Sequence, residues 1–106
     1  MLFYFSKANI FNPSFIFHLV KALKVVLEVT FRMGGVSFRG TRWDGENLVF
    51  EFERLGDAFI QVLSDQRVEA DVEKTPKKVL VELKTKEGDK VFEAFEWDGR
   101  YMAAEF

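Results

Sequence analysis

Cysteine is absent from the 106 residues. That removes disulfides, thiolate nucleophiles and sulfur-ligated metals together, and it favours a reducing compartment, the cytoplasm. Histidine occurs once, at His18, and proline twice, at Pro13 and Pro76. A lone imidazole with no acid or nucleophile placed beside it by sequence reads as a structural residue rather than a general base. Without a second histidine, the carboxylates, scattered singly along the chain, form no recognised metal-ligand spacing. No catalytic, cofactor-binding or metal-binding residue is therefore expected, and the chain reads as a non-enzyme. Long hydrophobic runs are missing as well. Phe15 to Val20 is six residues with His18 inside it, whereas a bilayer helix needs about 20. The aromatic start, Met1-Leu2-Phe3-Tyr4-Phe5, lacks a basic segment and is interrupted by Lys7 and Asn9, so it reads as structure and not as a leader, and no membrane association is expected. A large charge of one sign is the last absence. Lys and Arg number 15 against 17 Asp and Glu, a net charge of −2; residues 1–53 hold six basic and five acidic side chains, and 54–106 nine and twelve. Neither half is basic enough to announce nucleic acid.

What the chain does have is a copy of itself. Shifting the sequence by 54 positions lays residues 24–52 on 78–106 without a gap, with ten identities in 29 positions. Lys24, Val25, Glu28, Gly34 and Phe38 meet Lys78, Val79, Glu82, Gly88 and Phe92, and Trp43-Asp44-Gly45 meets Trp97-Asp98-Gly99. A duplication of this kind sets architecture before it says anything of chemistry. With 48% apolar and 30% charged residues the chain is an ordinary ordered globule. At this length it is a single domain, 1–106, in which the two copies share one core, since two lobes would each be too small.

The local patterns predict an α+β fold. Residues 1–6 suit a first strand. Asn12-Pro13 reads as an N-cap followed by proline at the first helical position, and Ile16, Leu19, Val20 and Leu23 follow at helical spacing, which predicts one N-terminal helix over 13–23. Leu27, Val29, Phe31 and Met33 then share a strand face. A Gly34-Gly35 turn would set Phe31 opposite Phe38, and a three-residue Trp43-Asp44-Gly45 loop with a bulged Gly45 would set Phe38 opposite Phe50 and Arg42 opposite Glu46. In the second copy the same register sets Glu96 opposite Arg100. The strict alternation Arg67-Val68-Glu69-Ala70-Asp71-Val72-Glu73 predicts a strand over 67–73, in a hairpin with 57–63 around Ser64-Asp65-Gln66. The sum is a mainly antiparallel sheet of about 8–9 strands, two copies of a three-stranded meander plus the helix.

Two surfaces stand out. Arg32, Arg39 and Arg42 with Trp43 and Trp97 form a candidate nucleic-acid face, because cations interleaved with aromatic rings on a sheet hold single strands. Glu28, Glu51 and Glu53 dilute it, so nucleic acid is not the favoured partner. The second surface is apolar. Phe11, Phe15 and Phe17 crowd the N-terminal part, and Phe95 and Tyr101, with Leu80, Val91, Trp97 and Ala103, lie on the second face of the second copy. One small core has limited room for both sets, and an apolar patch left outside is an interface; these residues are the candidate oligomer interface, with a dimer the commonest form. A pocket lined by Phe31, Phe38 and Phe50 for an apolar ligand is a third expectation.

The segment Phe31-Arg32-Met33-Gly34-Gly35-Val36-Ser37-Phe38-Arg39, in a strand, helix and meander, is similar to the unit duplicated in DNA sliding-clamp domains. The resemblance implies a second helix lining a basic channel. Here the corresponding stretch, 64–76, is acidic and alternates like a strand, and a clamp subunit has two such domains where this chain has room for one. The expected function is thus a non-enzymatic interaction or scaffold protein that self-associates through apolar surface.

Overall fold

The computed structural model describes residues 23–55 and 63–104. They form seven strands: β1 (Leu23–Phe31), β2 (Val36–Asp44), β3 (Asn47–Arg54), β4 (Ser64–Val72), β5 (Lys78–Thr85), β6 (Gly88–Trp97) and β7 (Arg100–Ala104). All belong to one sheet in the order β2-β3-β5-β6-β7-β1-β4. The sheet curls until its two edges, β2 and β4, approach each other, giving a nearly closed barrel. The α+β expectation is corrected accordingly: the described residues are all-β, with no helix among them. The helix expected over 13–23 lies outside the described residues except for Leu23, which opens β1; the strand expected at 1–6 and most of 57–63 also lie outside them.

The strands follow from alternation. In β1, Val25, Leu27, Val29 and Phe31 are buried while Lys24, Glu28 and Thr30 point outward, the period of a half-buried strand. In β5, Val79, Val81 and Leu83 do the same. The interior is one cluster drawn from both copies, including Leu27 and Phe31 from β1, Leu48, Phe50 and Phe52 from β3, and Val79, Val81 and Leu83 from β5. Phe31 meets Phe52 edge to face at 5.1 Å between centroids and Phe92 at 6.5 Å. Side chains, not solvent, occupy the inside of the ring; each fully buried Phe, Leu or Val contributes about 1.5–3 kcal/mol over its exposed state.

The copies are wired differently. In the second, β5 and β6 form a hairpin with Thr85 opposite Gly88. In the first, the equivalent strands β1 and β2 do not pair: Phe31 lies opposite Ser64 of β4, not opposite Phe38. β4 pairs antiparallel with β1 along its whole length, from Leu23 opposite Val72 to Phe31 opposite Ser64, and so stands where β2 would have stood. Ser64, Asp65 and Gln66 are thus part of a strand and not the turn the sequence suggested. The copies are joined by two parallel pairs, β3 with β5 and β1 with β7. The first of these stacks Leu48 on Val79, Phe50 on Val81 and Phe52 on Leu83.

The Asp-Gly hairpins also differ from expectation. Both have two-residue turns: Gly45-Glu46, with Asp44 opposite Asn47 and Gly45 at φ 67°, and Asp98-Gly99, with Trp97 opposite Arg100 and φ of 53° and 80°. These are the II′ and I′ patterns that match strand twist. The first hairpin does need one extra residue to keep its phenylalanines inside, but the bulge sits within β2, at Arg39, between the pairs Phe38–Phe52 and Gly40–Glu51. Gly40 takes φ 149° there, a conformation open to glycine. In consequence Phe38 faces Phe52 rather than Phe50, and Arg42 faces Val49 rather than Glu46.

Candidate functional site

The outer face of the barrel is mostly a lattice of ion pairs. Arg42 on β2 reaches across β3, its Nε donating to Glu51 at 2.5 Å and its Nη2 to Glu82 on β5 at 3.2 Å. Glu51 and Glu82 lie directly opposite one another on parallel strands, so the guanidinium offsets the repulsion of two adjacent carboxylates. The hydrogen bond to Glu51, and then that to Glu82, raises the pKa of Arg42. Glu28, the repeat counterpart of Glu82, also faces two guanidinium groups: Arg100 Nε of the other copy lies 3.1 Å from it without a hydrogen bond, and Arg67 Nε of the inserted strand β4 lies at 3.8 Å. In place of the expected pairs Arg42–Glu46 and Glu96–Arg100, Arg42 binds Glu51 of its own copy and Glu82 of the other, and Arg100 lies nearest Glu28 of the other copy. On β4, Glu69 binds Lys24 at 3.3 Å and Arg67 at 2.9 Å; the hydrogen bond from Lys24 is the main reason its carboxyl is held below the ordinary range.

Of the candidate nucleic-acid residues, Arg39, Arg42 and Trp97 lie on the outer face, but the two arginines are paired with glutamates and stand apart from the tryptophan. Arg32 is exposed in the connection between β1 and β2. Arg39 is the bulged residue and pairs with Glu53 at 3.4 Å, and Arg42 is held by its two glutamates. Trp43 shares the face of its partner Leu48, towards the barrel mouth, whereas Trp97 points outward from β6 and is 61% exposed. With β3 and β5 between them, β2 and β6 are about 14 Å apart at the usual strand spacing.

The apolar candidates divide differently. Phe11, Phe15 and Phe17 lie outside the described residues. Phe95 is 60% exposed. Tyr101 turns inward, opposite Leu27, and packs against the core; burial, with a smaller contribution from Glu96, raises its hydroxyl pKa. Phe95 and Tyr101 are thus on opposite faces, because the two-residue Asp98-Gly99 turn sets Phe95 opposite Met102 and a slip of one residue reverses a strand's faces. Val91, Phe95 and Trp97 remain as an outward stripe on β6, interrupted by Glu93 between Val91 and Phe95, each apolar member more than half exposed. It runs about 20 Å along the strand at 3.3 Å per residue. Beside it, a groove of about 530 Å³ is lined by Phe95, Met102, Ala104, Thr30, Glu28 and Arg67.

Sequence reasoning missed one place altogether. Where β2 and β4 part near the end of the seam, a cleft of about 870 Å³ is lined by Trp43, Gly45, Asp71, Val72, Glu73 and Lys74. The only sequence signal was the tryptophan itself, since β4 reaches it from some 30 positions further along the chain.

Among the described residues, no group of three or more His, Cys, Asp and Glu side chains is placed to hold a metal ion, and no helix is long and apolar enough to cross a membrane. No protein-family model matches the chain, and no curated protein or solved structure matches it either.

Proposed function

We propose that the chain is a non-enzymatic interaction or scaffold domain of the cytoplasm that self-associates, as a dimer, through the outer face of β6. The observation that carries this reading is the stripe Val91, Phe95 and Trp97, 58%, 60% and 61% exposed, on a strand in the middle of the sheet. Elsewhere on the outer face the exposed positions are mostly charged or polar, as with Lys24 on β1 and Asp65, Arg67, Glu69 and Asp71 on β4, while the outward apolar residues Val26, Val49, Leu80 and Met102 are half-buried or buried. Apolar side chains gathered on one face against that background mark a contact surface. Glu93 lies within the stripe, between Val91 and Phe95 on the same outward face, and Glu28, Arg67 and Arg100 lie towards β7 and β1, so the patch offers both signs to its own copy about a two-fold axis. Because β6 is an interior strand, the contact is between faces and not between sheet edges. A nucleic-acid role is less well supported, since Arg39 and Arg42 are already neutralised by glutamates.

The test is mass in solution by light scattering over a dilution series, for the intact chain and for the double variant Phe95→Ser, Trp97→Ser. A dimer that dissociates on dilution, and a variant monomeric at every concentration with an unchanged circular dichroism spectrum, are expected. A monomeric intact chain, or a folded variant that keeps the dimer, overturns the reading.

A further inference from the structure

The cleft at the seam combines groups that the core and the ion-pair lattice leave unused. β2 and β4 run in the same direction without a backbone ladder between them. At one end Gln66 Nε2 donates to Val36 O at 2.9 Å. At the other end the chain beyond β4 brings Lys74 over Trp43, with the ammonium 5.7 Å from the ring centroid. Asp71 and Glu73 line the same cleft, and among the described residues neither makes an ion pair or a side-chain hydrogen bond. Val72 supplies an apolar wall.

We propose that this cleft binds an alkylated ammonium group, with the face of Trp43 as its platform and Asp71 and Glu73 as its counter-charges. Lys74 shows the chemistry the site accepts: a cation already lies over the indole, which has the strongest cation-binding face of any side chain. Lys74 is tethered, however, and so competes at the high effective concentration of an intramolecular group. A ligand that displaces it has to lose less on leaving water than a primary ammonium does. The lysine ammonium is compact and strongly hydrated; a quaternary ammonium spreads its charge over methyl groups, sheds water easily and gains contact with Val72 as well as the ring. The two carboxylates add attraction that salt screens. The site is independent of the β6 face and stands or falls separately from it.

The test is an NMR titration of the intact chain with choline and, separately, with Nε-trimethyllysine amide, read at the indole N–H signals. The chain has two tryptophans, so Trp97 is an internal control. A saturable shift of the Trp43 signal, with Trp97 still, is expected; the stronger arm distinguishes a free small molecule from a peptide side chain. Lys74→Gln removes the competitor from an exposed position without touching the core, and tightens binding about two- to fivefold. Trp43→Leu weakens it at least about tenfold, and Asp71→Asn with Glu73→Gln weakens it and flattens its salt dependence. No saturable shift with either probe, equal shifts at both tryptophans, or unchanged affinity in Lys74→Gln overturns the proposal.

Discussion

At the scale of single residues, stability rests on a few large side chains that alternation placed correctly. Phe31 is fully exposed to the core and not at all to solvent, and it touches aromatic rings from β3 and β6. Phe31→Ala should cost about 3–5 kcal/mol, read from the urea midpoint at constant slope. That is a large share of the 5–15 kcal/mol typical of a whole domain, so Phe31→Leu is the companion variant that keeps the fold measurable. Surface charges behave differently. Lys24 holds the Glu69 carboxyl down; a depressed acid contributes stability above its unfolded pKa and loses it as pH falls. Lys24→Met should move the Glu69 titration, followed by side-chain NMR, back up towards the ordinary range while the urea midpoint hardly changes, because the pair is exposed. Which residues face inward was legible in the sequence for Leu27, Val29 and Phe31. Tyr101 was not, because its face depends on whether the turn before it has two residues or three, and Asp-Gly serves either.

At the scale of elements, the alternation of 67–73 identified β4 as a strand, but nothing local identified its partner. Strand pairing is decided by where hydrophobic faces can be closed, and the partner of β4 lies more than 30 residues away, in β1. The same holds for the bulge: the need for one extra residue in the first hairpin was readable from Phe38 and Phe50, yet its place, at Arg39-Gly40 rather than in the loop, was not. Gly40 has open space around the position of a Cβ, so only its φ opposes substitution. Gly40→Ala should destabilise by about 1–3 kcal/mol through backbone strain alone. Edges carry the other prediction for elements. Amide exchange should be faster along β2 and β4, the edges of the described sheet, than along the interior strands β3 and β5; equal protection would mean that the seam is a continuous ladder.

At the scale of the whole molecule, the duplication told the truth about sequence and misled about pairing. Two similar three-stranded units do share one core, but the first is opened between β1 and β2 to admit β4, and that insertion creates both the seam and the Trp43 cleft. The β6 stripe, by contrast, sits in the copy whose hairpins stayed intact, and Phe95, Val91 and Trp97 could be grouped from parity alone. The ring order is the claim on which the rest depends. It can be tested with a pair of cysteines in a chain that has none. Thr30 and Asp65 are opposite one another, with the threonine hydroxyl donating to the carboxylate at 2.6 Å, close enough for a disulfide. Thr30→Cys with Asp65→Cys should close on mild oxidation without altering the circular dichroism spectrum, while Thr30→Cys with Arg39→Cys, the pair that a β1–β2 hairpin would align, should stay reduced. Closure of the second pair and not the first would contradict the insertion of β4.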